Sequence, residues 1–271
     1  MMKTEYLTNR DGLRLSYVDS GGTGRPILAL HGAFGRGRAW SALAGHLGPD
    51  WRVIGLDQRG HGLSDRAGDY GRDAFVADTV DAIEHLGIAP AVLVGHSLGA
   101  INAYQLAAHR PDLVSAFVAI DFPAETPPVG ATTPWLDGFP ERFPSLGALR
   151  AAISERVVLG AIDHFQENAF EDEDGWGFRW DRDDIAAIKQ GIRGDWWADW
   201  TGSHQPALLL LGGDSEVVPP DVAEQMIARR PGTELVTIDG GGHDCYITHA
   251  REFGDAVARF LSRLPAAPAL A

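Results

Sequence analysis

The chain opens on two short alternating stretches, Thr4–Thr8 and Leu13–Asp19, joined by Asn9-Arg10-Asp11-Gly12. Period-two alternation on either side of a turn rich in Asn, Asp and Gly predicts a β-hairpin. The pattern then changes. Compact apolar runs at Pro26–Leu30, Arg52–Leu56, Ala91–Val94 and Leu113–Ile120 predict buried strands. Helical spacing appears among them at Ala74–Leu86 (through Phe75, Val76, Val80 and Ile83) and at Ile101–His109. The same rhythm returns late in the chain, as a strand at Ala207–Leu211, a helix at Asp221–Arg230, a strand at Glu234–Ile238 and a helix at Ala250–Leu264. Strand–helix alternation of this kind predicts an α/β fold with a mostly parallel, doubly wound sheet covered on both faces.

Between about Phe122 and His204 the rhythm breaks. This stretch holds several prolines, the acidic run Glu171-Asp172-Glu173-Asp174 and six of the eight tryptophans. It reads as an insertion of residues 122–204 into a core made of residues 1–121 and 205–264. The tail 265–271 is expected to fray. No repeat of 20–50 residues is visible, which argues against a solenoid or a propeller.

Composition narrows the function. A chain of 271 residues with 45% apolar side chains buries a core without a disulfide staple, and Cys245 is its single cysteine. There are 23 basic and 37 acidic residues, a net charge of −14. That balance argues against nucleic acid and anionic membrane surfaces as partners. No apolar stretch reaches the length of a membrane span, and the start Met1-Met2-Lys3-Thr4-Glu5 has no apolar signal segment. The expectation is a cytoplasmic protein that handles a small molecule. Oligomeric state is not readable from the chain.

The most informative segment is Val92-Leu93-Val94-Gly95-His96-Ser97-Leu98-Gly99-Ala100. It is G-x-S-x-G between a predicted strand and a predicted helix, the context of a nucleophile elbow. Small residues at 95 and 99 let a sharp turn present Ser97 at the carboxyl end of the sheet. The start of the following helix then offers the Leu98 amide to a developing oxyanion. A second loop, His31-Gly32-Ala33-Phe34-Gly35, follows the Pro26–Leu30 strand. A third, Asp57-Gln58-Arg59-Gly60-His61-Gly62-Leu63-Ser64, follows the Arg52–Leu56 strand. Near the end, Gly240-Gly241-Gly242-His243-Asp244 lies between the last strand and the last helix.

Together these segments resemble the α/β-hydrolase superfamily, over about residues 4–121 and 205–264. The resemblance implies Ser97 as nucleophile and His243 as the base that takes its proton and returns it to the leaving group. It implies an oxyanion hole from the Ala33 and Leu98 amides, with Phe34 as alternative donor or pocket wall. It implies that residues 122–204 form a helical lid between the sixth and seventh core strands. His96, beside the nucleophile, and the insertion residues Trp135 and Trp197 are candidate substrate contacts. Arg59 and Asp57 are expected to pair and brace the loops around the elbow.

The acid that orients His243 stays open between three carboxylates. Asp214 and Glu216 lie in Gly212-Gly213-Asp214-Ser215-Glu216, where relatives carry G-x-x-D. Counting from Gly212 lands on Ser215, which cannot serve as the acid. Asp121 closes the preceding strand, the second placement found in the family. No metal site or cofactor is expected: His31, His61 and His96 lack metal-binding spacing.

A serine nucleophile implies an acyl-enzyme that water then opens. The expected reaction is hydrolysis of a carboxylic ester or lactone. Cofactor-free C–C cleavage, a lyase or cyclase reaction and a small-molecule receptor on the same fold are the alternatives. Residues 122–204 carry 15 acidic and 7 basic side chains, a net of −8. An acidic, tryptophan-rich cover predicts preference for neutral or cationic apolar substrates.

Overall fold

The computed structural model describes residues 2–127, 136, 138–156 and 162–265. Eight strands form the main sheet, in spatial order β1 (Lys3–Thr8), β2 (Arg14–Asp19), β4 (Trp51–Leu56), β3 (Arg25–Leu30), β5 (Ala91–His96), β6 (Val114–Ile120), β11 (Ala207–Gly212) and β12 (Thr233–Ile238). β1 and β2 form the antiparallel hairpin predicted from the N-terminal alternation, with Lys3 opposite Asp19. The Asn9 side chain shapes its turn by accepting the Asp11 and Leu13 amides at 3.0 and 2.8 Å. β2 meets β4 antiparallel, and every pairing from β4 to β12 is parallel.

The central strands are apolar along their whole length because helices cover both faces. Every residue of β5 and of β11 is buried. On one face Leu28, Leu30, Leu93, Phe117 and Leu209 pack under α2 (Arg72–Leu86), α3 (Leu98–His109) and α8 (Pro220–Arg229). On the other, Ile27, Ala29, Val92, Val94, Leu208 and Leu210 meet α1 (Ser41–Leu47) and α10 (Ala250–Leu261). Neighbouring residues of one strand thus serve opposite cores. The sequence pattern did not signal α1, whose seven residues bury only Leu43 and carry no sustained apolar stripe.

The segment between β6 and β11 is not purely helical, contrary to expectation. Its described part holds α4 (Leu146–Ser154), α5 (Ile162–Gln166), α6 (Arg182–Gly191) and α7 (Trp197–Thr201). It also holds two small antiparallel pairs, β8 (Ala169–Asp172) with β9 (Gly175–Phe178), and β7 (Glu125–Thr126) with β10 (Gly194–Asp195). The acidic run ends β8 and forms the turn into β9 through Glu173 and Asp174, with all four residues exposed. A third apolar cluster ties this segment to the core. In it Phe139, Phe143, Leu149, Ile185 and Ile188 pack with Phe34, Tyr70 and Leu98. A short α9 (Cys245–Thr248) precedes α10.

Candidate active site

Ser97, Asp121 and His31 follow directly on the carboxyl ends of β5, β6 and β3, and His243 lies in the loop after β12. That end of a parallel sheet is where α/β folds gather their reactive groups. Three non-glycine residues are held at positive φ among the described residues: Phe34 (70°), Ser97 (51°) and Asp121 (50°). All three belong to this cluster of loops. Strain of this kind persists where surrounding structure enforces it.

Packing of the elbow explains its glycines. A methyl group on Gly95 would overlap the carbonyl of Gly99, and one on Gly99 would overlap the carbonyl of Leu30. β5, α3 and β3 therefore approach more closely than side chains permit. The His31–Gly35 loop leans directly on the nucleophile: a Cβ on Gly32 would sit 3.2 Å from Ser97 Cβ and 2.6 Å from His96 Nδ1. His31 holds that loop in shape. Its Nε2 accepts the Gln58 amide at 3.0 Å, so its Nδ1–H is the donor to the Gly32 carbonyl at 2.7 Å. Gln58 Nε2 also donates to the His31 carbonyl at 2.6 Å. From the inserted segment, buried Asn168 donates to the Phe34 carbonyl at 2.7 Å.

His243 Nδ1 lies 2.7 Å from Asp121 Oδ2. A carboxylate only accepts, so Nδ1 carries the proton and Nε2 is left as the basic nitrogen. Asp121 is 1% exposed at its side chain, whereas His243 is 34% exposed. Of the three carboxylates left open by the sequence, this one meets the imidazole. Asp214 and Glu216 are both exposed on the loop after β11. The Asp214 amide bonds the Gly241 carbonyl, which ties that loop to the one carrying His243. Ser215 turns inward, and its Oγ donates to Asp121 Oδ2 at 2.5 Å.

His96 is buried against the loop that carries His243. It is 2% exposed, and its Nε2 donates to the His243 carbonyl at 2.9 Å. Its ring stacks 4.5 Å from the ring of His243 and 4.5 Å from that of Tyr246. Trp197 is placed elsewhere. Its indole donates to Glu125 Oε2 at 3.0 Å, and Arg229 lies 4.0 Å over its ring, at the end of α8 that leads into the amino end of β12. Ser97 sits at the opposite end of the sheet. Trp135 lies outside the described residues. Among the described tryptophans, Trp180 reaches the Phe34 loop, edge-on to the Phe34 ring at 5.1 Å and stacked on Phe178 at 4.6 Å. Leu98 is fully buried as the first residue of α3, so its amide has no acceptor within the helix.

The expected Asp57–Arg59 pair does not form. Asp57 accepts the Gly37 and Leu63 amides at 2.6 and 2.9 Å and the Ser16 hydroxyl at 2.5 Å. Arg59 turns the other way and makes a two-pronged pair with Asp78, Nε–Oδ2 2.6 Å and Nη2–Oδ1 2.8 Å. Both residues still brace the loops, through partners distant in sequence. Among the described residues no group of three or more His, Cys, Asp or Glu is arranged to hold a metal ion. Among them, too, no helix is long and apolar enough to cross a membrane.

Sequence reasoning missed Ser215, Asn168 and Trp180. Ser215 lies in the Gly212–Glu216 loop that the sequence marked only for its acids, Asn168 and Trp180 belong to no local motif, and each is recruited by contacts across 94 or more positions.

A parallel sheet with a strained serine between β5 and α3, and an imidazole–carboxylate pair beside it, defines a hydrolase architecture. The chain belongs to the α/β-hydrolase family: the family's sequence profile, described as "alpha/beta hydrolase fold", matches residues 25–250. It is similar to the sn-1-specific diacylglycerol lipase ABHD11 of Mus musculus, 31% identical over 270 residues covering 92% of this chain and 86% of that protein. It is also similar to 2-(acetamidomethylene)succinate hydrolase of Mesorhizobium japonicum, 30% identical with 82% of each chain covered. The crystal structure of E-2-(acetamidomethylene)succinate hydrolase superimposes with a TM-score of 0.85 at 26% identity, covering 97% of this chain and all of the other. The protein is an enzyme, a hydrolase on this fold.

Proposed function

We propose that the protein hydrolyses a carboxylic ester or lactone of a small substrate through an acyl-enzyme on Ser97. The observation that carries this reading is the 2.7 Å contact between His243 Nδ1 and Asp121 Oδ2, on loops that converge on the Ser97 elbow. In the first step His243 Nε2 takes the Ser97 hydroxyl proton as Oγ bonds to the acyl carbon. The carbonyl oxygen becomes an oxyanion between the Ala33 and Leu98 amides. Collapse breaks the bond to the leaving oxygen, which receives the proton from imidazolium. A water then repeats the sequence, transferring its proton to His243 and releasing the acid. Asp121 fixes the imidazole tautomer and stabilises its cationic form throughout. The inserted segment acts as the lid of this site: its Asn168 and Trp180 reach the Phe34 loop.

The test is labelling by a fluorophosphonate probe together with release of 4-nitrophenol from short-chain esters. The expected result is stoichiometric labelling of Ser97 and turnover that vanishes in Ser97→Ala. An unlabelled Ser97 with tight ligand binding and no turnover is the receptor outcome, and it would reject the acyl-transfer reading.

A further inference from the structure

Around Phe34 the inserted segment places positive charge and an indole N–H donor that have no anionic partner among the described residues. Lys189, near the end of α6, sets its Nζ 5.4 Å over the Phe34 ring. Among the described residues it makes no ion pair. The one neighbouring charge that bears on it is Arg193, also positive, and burial together with that charge lowers its pKa. Arg193 closes the same helix end, its Nε donating to the Lys189 carbonyl at 3.3 Å. On the same Phe34 ring lies Trp180, whose buried indole Nε1–H has no acceptor among the described residues. Phe34 follows Ala33 and packs with Leu98, the two residues whose amides form the proposed oxyanion hole.

A half-buried ammonium beside a second cation is unfavourable unless an anion completes the site. Seven acidic side chains of the insertion, among the described residues, are engaged elsewhere or face water. Asp184 and Asp181 pair with Arg66, Asp172 with Arg142 and Asp199 with His109. Glu171, Glu173 and Asp174 are exposed on the β8–β9 hairpin. The charge next to Phe34 thus has the opposite sign to the insertion's net −8.

We propose that Lys189, with the Trp180 indole and backed by Arg193, anchors a carboxylate of the substrate, so that the preferred substrate is an acyl compound bearing a second, anionic carboxyl group. This rests on the ester-hydrolase reading for its chemistry and reverses the preference that the insertion's net charge predicts.

The probes are the 4-nitrophenyl monoester of adipic acid and its methyl ester, which differ only in the distal charge. The wild type is expected to favour the acid by at least tenfold in kcat/KM. Lys189→Met is expected to remove most of that ratio through KM, and Lys189→Arg to restore it. Glutarate binding, read as a rise in Tm, supplies a measurement independent of turnover and is expected in the wild type but not in Lys189→Met. Discrimination that is absent in the wild type, or equal in the wild type and Lys189→Met, overturns the anchor. If neither ester is cleaved while glutarate still binds in a Lys189-dependent way, the anchor stands and the ester reading falls. Glutarate binding that ignores Lys189 overturns the anchor whatever the esters show.

Discussion

Ser215 Oγ and His243 Nδ1 converge on one oxygen, Asp121 Oδ2, at 2.5 and 2.7 Å. Two adjacent strand ends thus share the work of holding the imidazole: β6 supplies the carboxylate, and the loop after β11 supplies a hydroxyl that fixes its orientation. Charge-assisted hydrogen bonds of this kind are stronger than neutral ones. Asp121→Asn is expected to lower kcat on the order of 10⁴-fold. Asp214→Asn and Glu216→Gln are expected to stay near the wild type. Ser215→Ala frees the carboxylate without removing it, and a loss of about tenfold is expected, the equivalent of one hydrogen bond to a charged group. Steady-state kinetics on a 4-nitrophenyl ester checks all four. A large loss in Asp214→Asn with little in Asp121→Asn would reverse the assignment.

What was legible in the sequence was what is local. The Ser97 elbow and the His243 loop are contiguous motifs, and the buried strands carry their own apolar runs. The acid is a different kind of quantity. Which strand end reaches His243 depends on how β6, β11 and β12 are spaced in the finished sheet, and no spacing along the chain encodes that. The same holds for Arg59, whose local neighbour Asp57 was the natural guess. Asp57 is consumed by amides of the turns around it, and Arg59 is claimed by Asp78 on α2. The break in rhythm after β6 coincides with the stretch that holds α4 to α7 and the two small strand pairs. The β8–β9 hairpin was hidden because an acidic turn between short aromatic strands resembles a solvated loop.

His96 adjoins Ser97 and touches His243, the two residues of the proposed proton transfer. It precedes Ser97 in the chain, and its Nε2–H holds the His243 carbonyl at 2.9 Å. Misplacement of a base by a fraction of an ångström is costly in rate. His96→Phe keeps an aromatic ring against Tyr246 and deletes the donor. It is expected to reduce kcat by about tenfold or more with KM little changed. His96→Gln, which retains an N–H donor, is expected to recover part of the loss. Equal kcat in the Phe variant and the wild type would show that the loop is placed by other contacts.

The Arg59–Asp78 pair sits beneath the loops, with side chains 1% and 2% exposed. Asn9 Nδ2 adds a bond to Asp78 Oδ1 at 2.5 Å. Arg59 also reaches Asp11 Oδ2 at 3.0 Å and the Asp69 carbonyl at 2.9 Å, but Asp78 is its buried carboxylate, and breaking such a buried pair costs about 3–5 kcal/mol. Asp78→Ala is therefore expected to lower the urea midpoint well below that of the wild type, while Arg59→Met with Asp78→Leu together destabilise far less than the single changes summed. A small shift for Asp78→Ala would show that water or another group compensates Arg59.

Cys245 is fully buried two positions after His243, and burial, with the charges of Asp121 and Asp244, pushes its thiol up to about 12. Only the thiolate reacts at a useful rate. Iodoacetamide at pH 8 is expected to leave the folded protein unmodified and to alkylate it in urea, as read by mass spectrometry. Rapid labelling of the native enzyme would mean that the loop carrying His243 opens far more often than its packing implies.

His61 carries a pH dependence whose sign follows from its surroundings. The ring is buried, lies edge-on to His31 at 4.8 Å and donates from Nδ1 to the Arg59 carbonyl at 3.0 Å. Burial lowers its pKa, against smaller opposing pulls from the Arg59 carbonyl and from Asp57 and Asp184. The unfolded chain, with an ordinary imidazole near 6.5, then binds a proton more readily than the folded one. Stability contributed by the neutral ring is present above about pH 6.5 and is lost as the pH falls below it. The Tm is expected to drop between pH 7.5 and 5.5, and to drop less in His61→Gln, whose amide can meet the Arg59 carbonyl without titrating. Parallel Tm curves for the two proteins would assign the acid sensitivity to other groups.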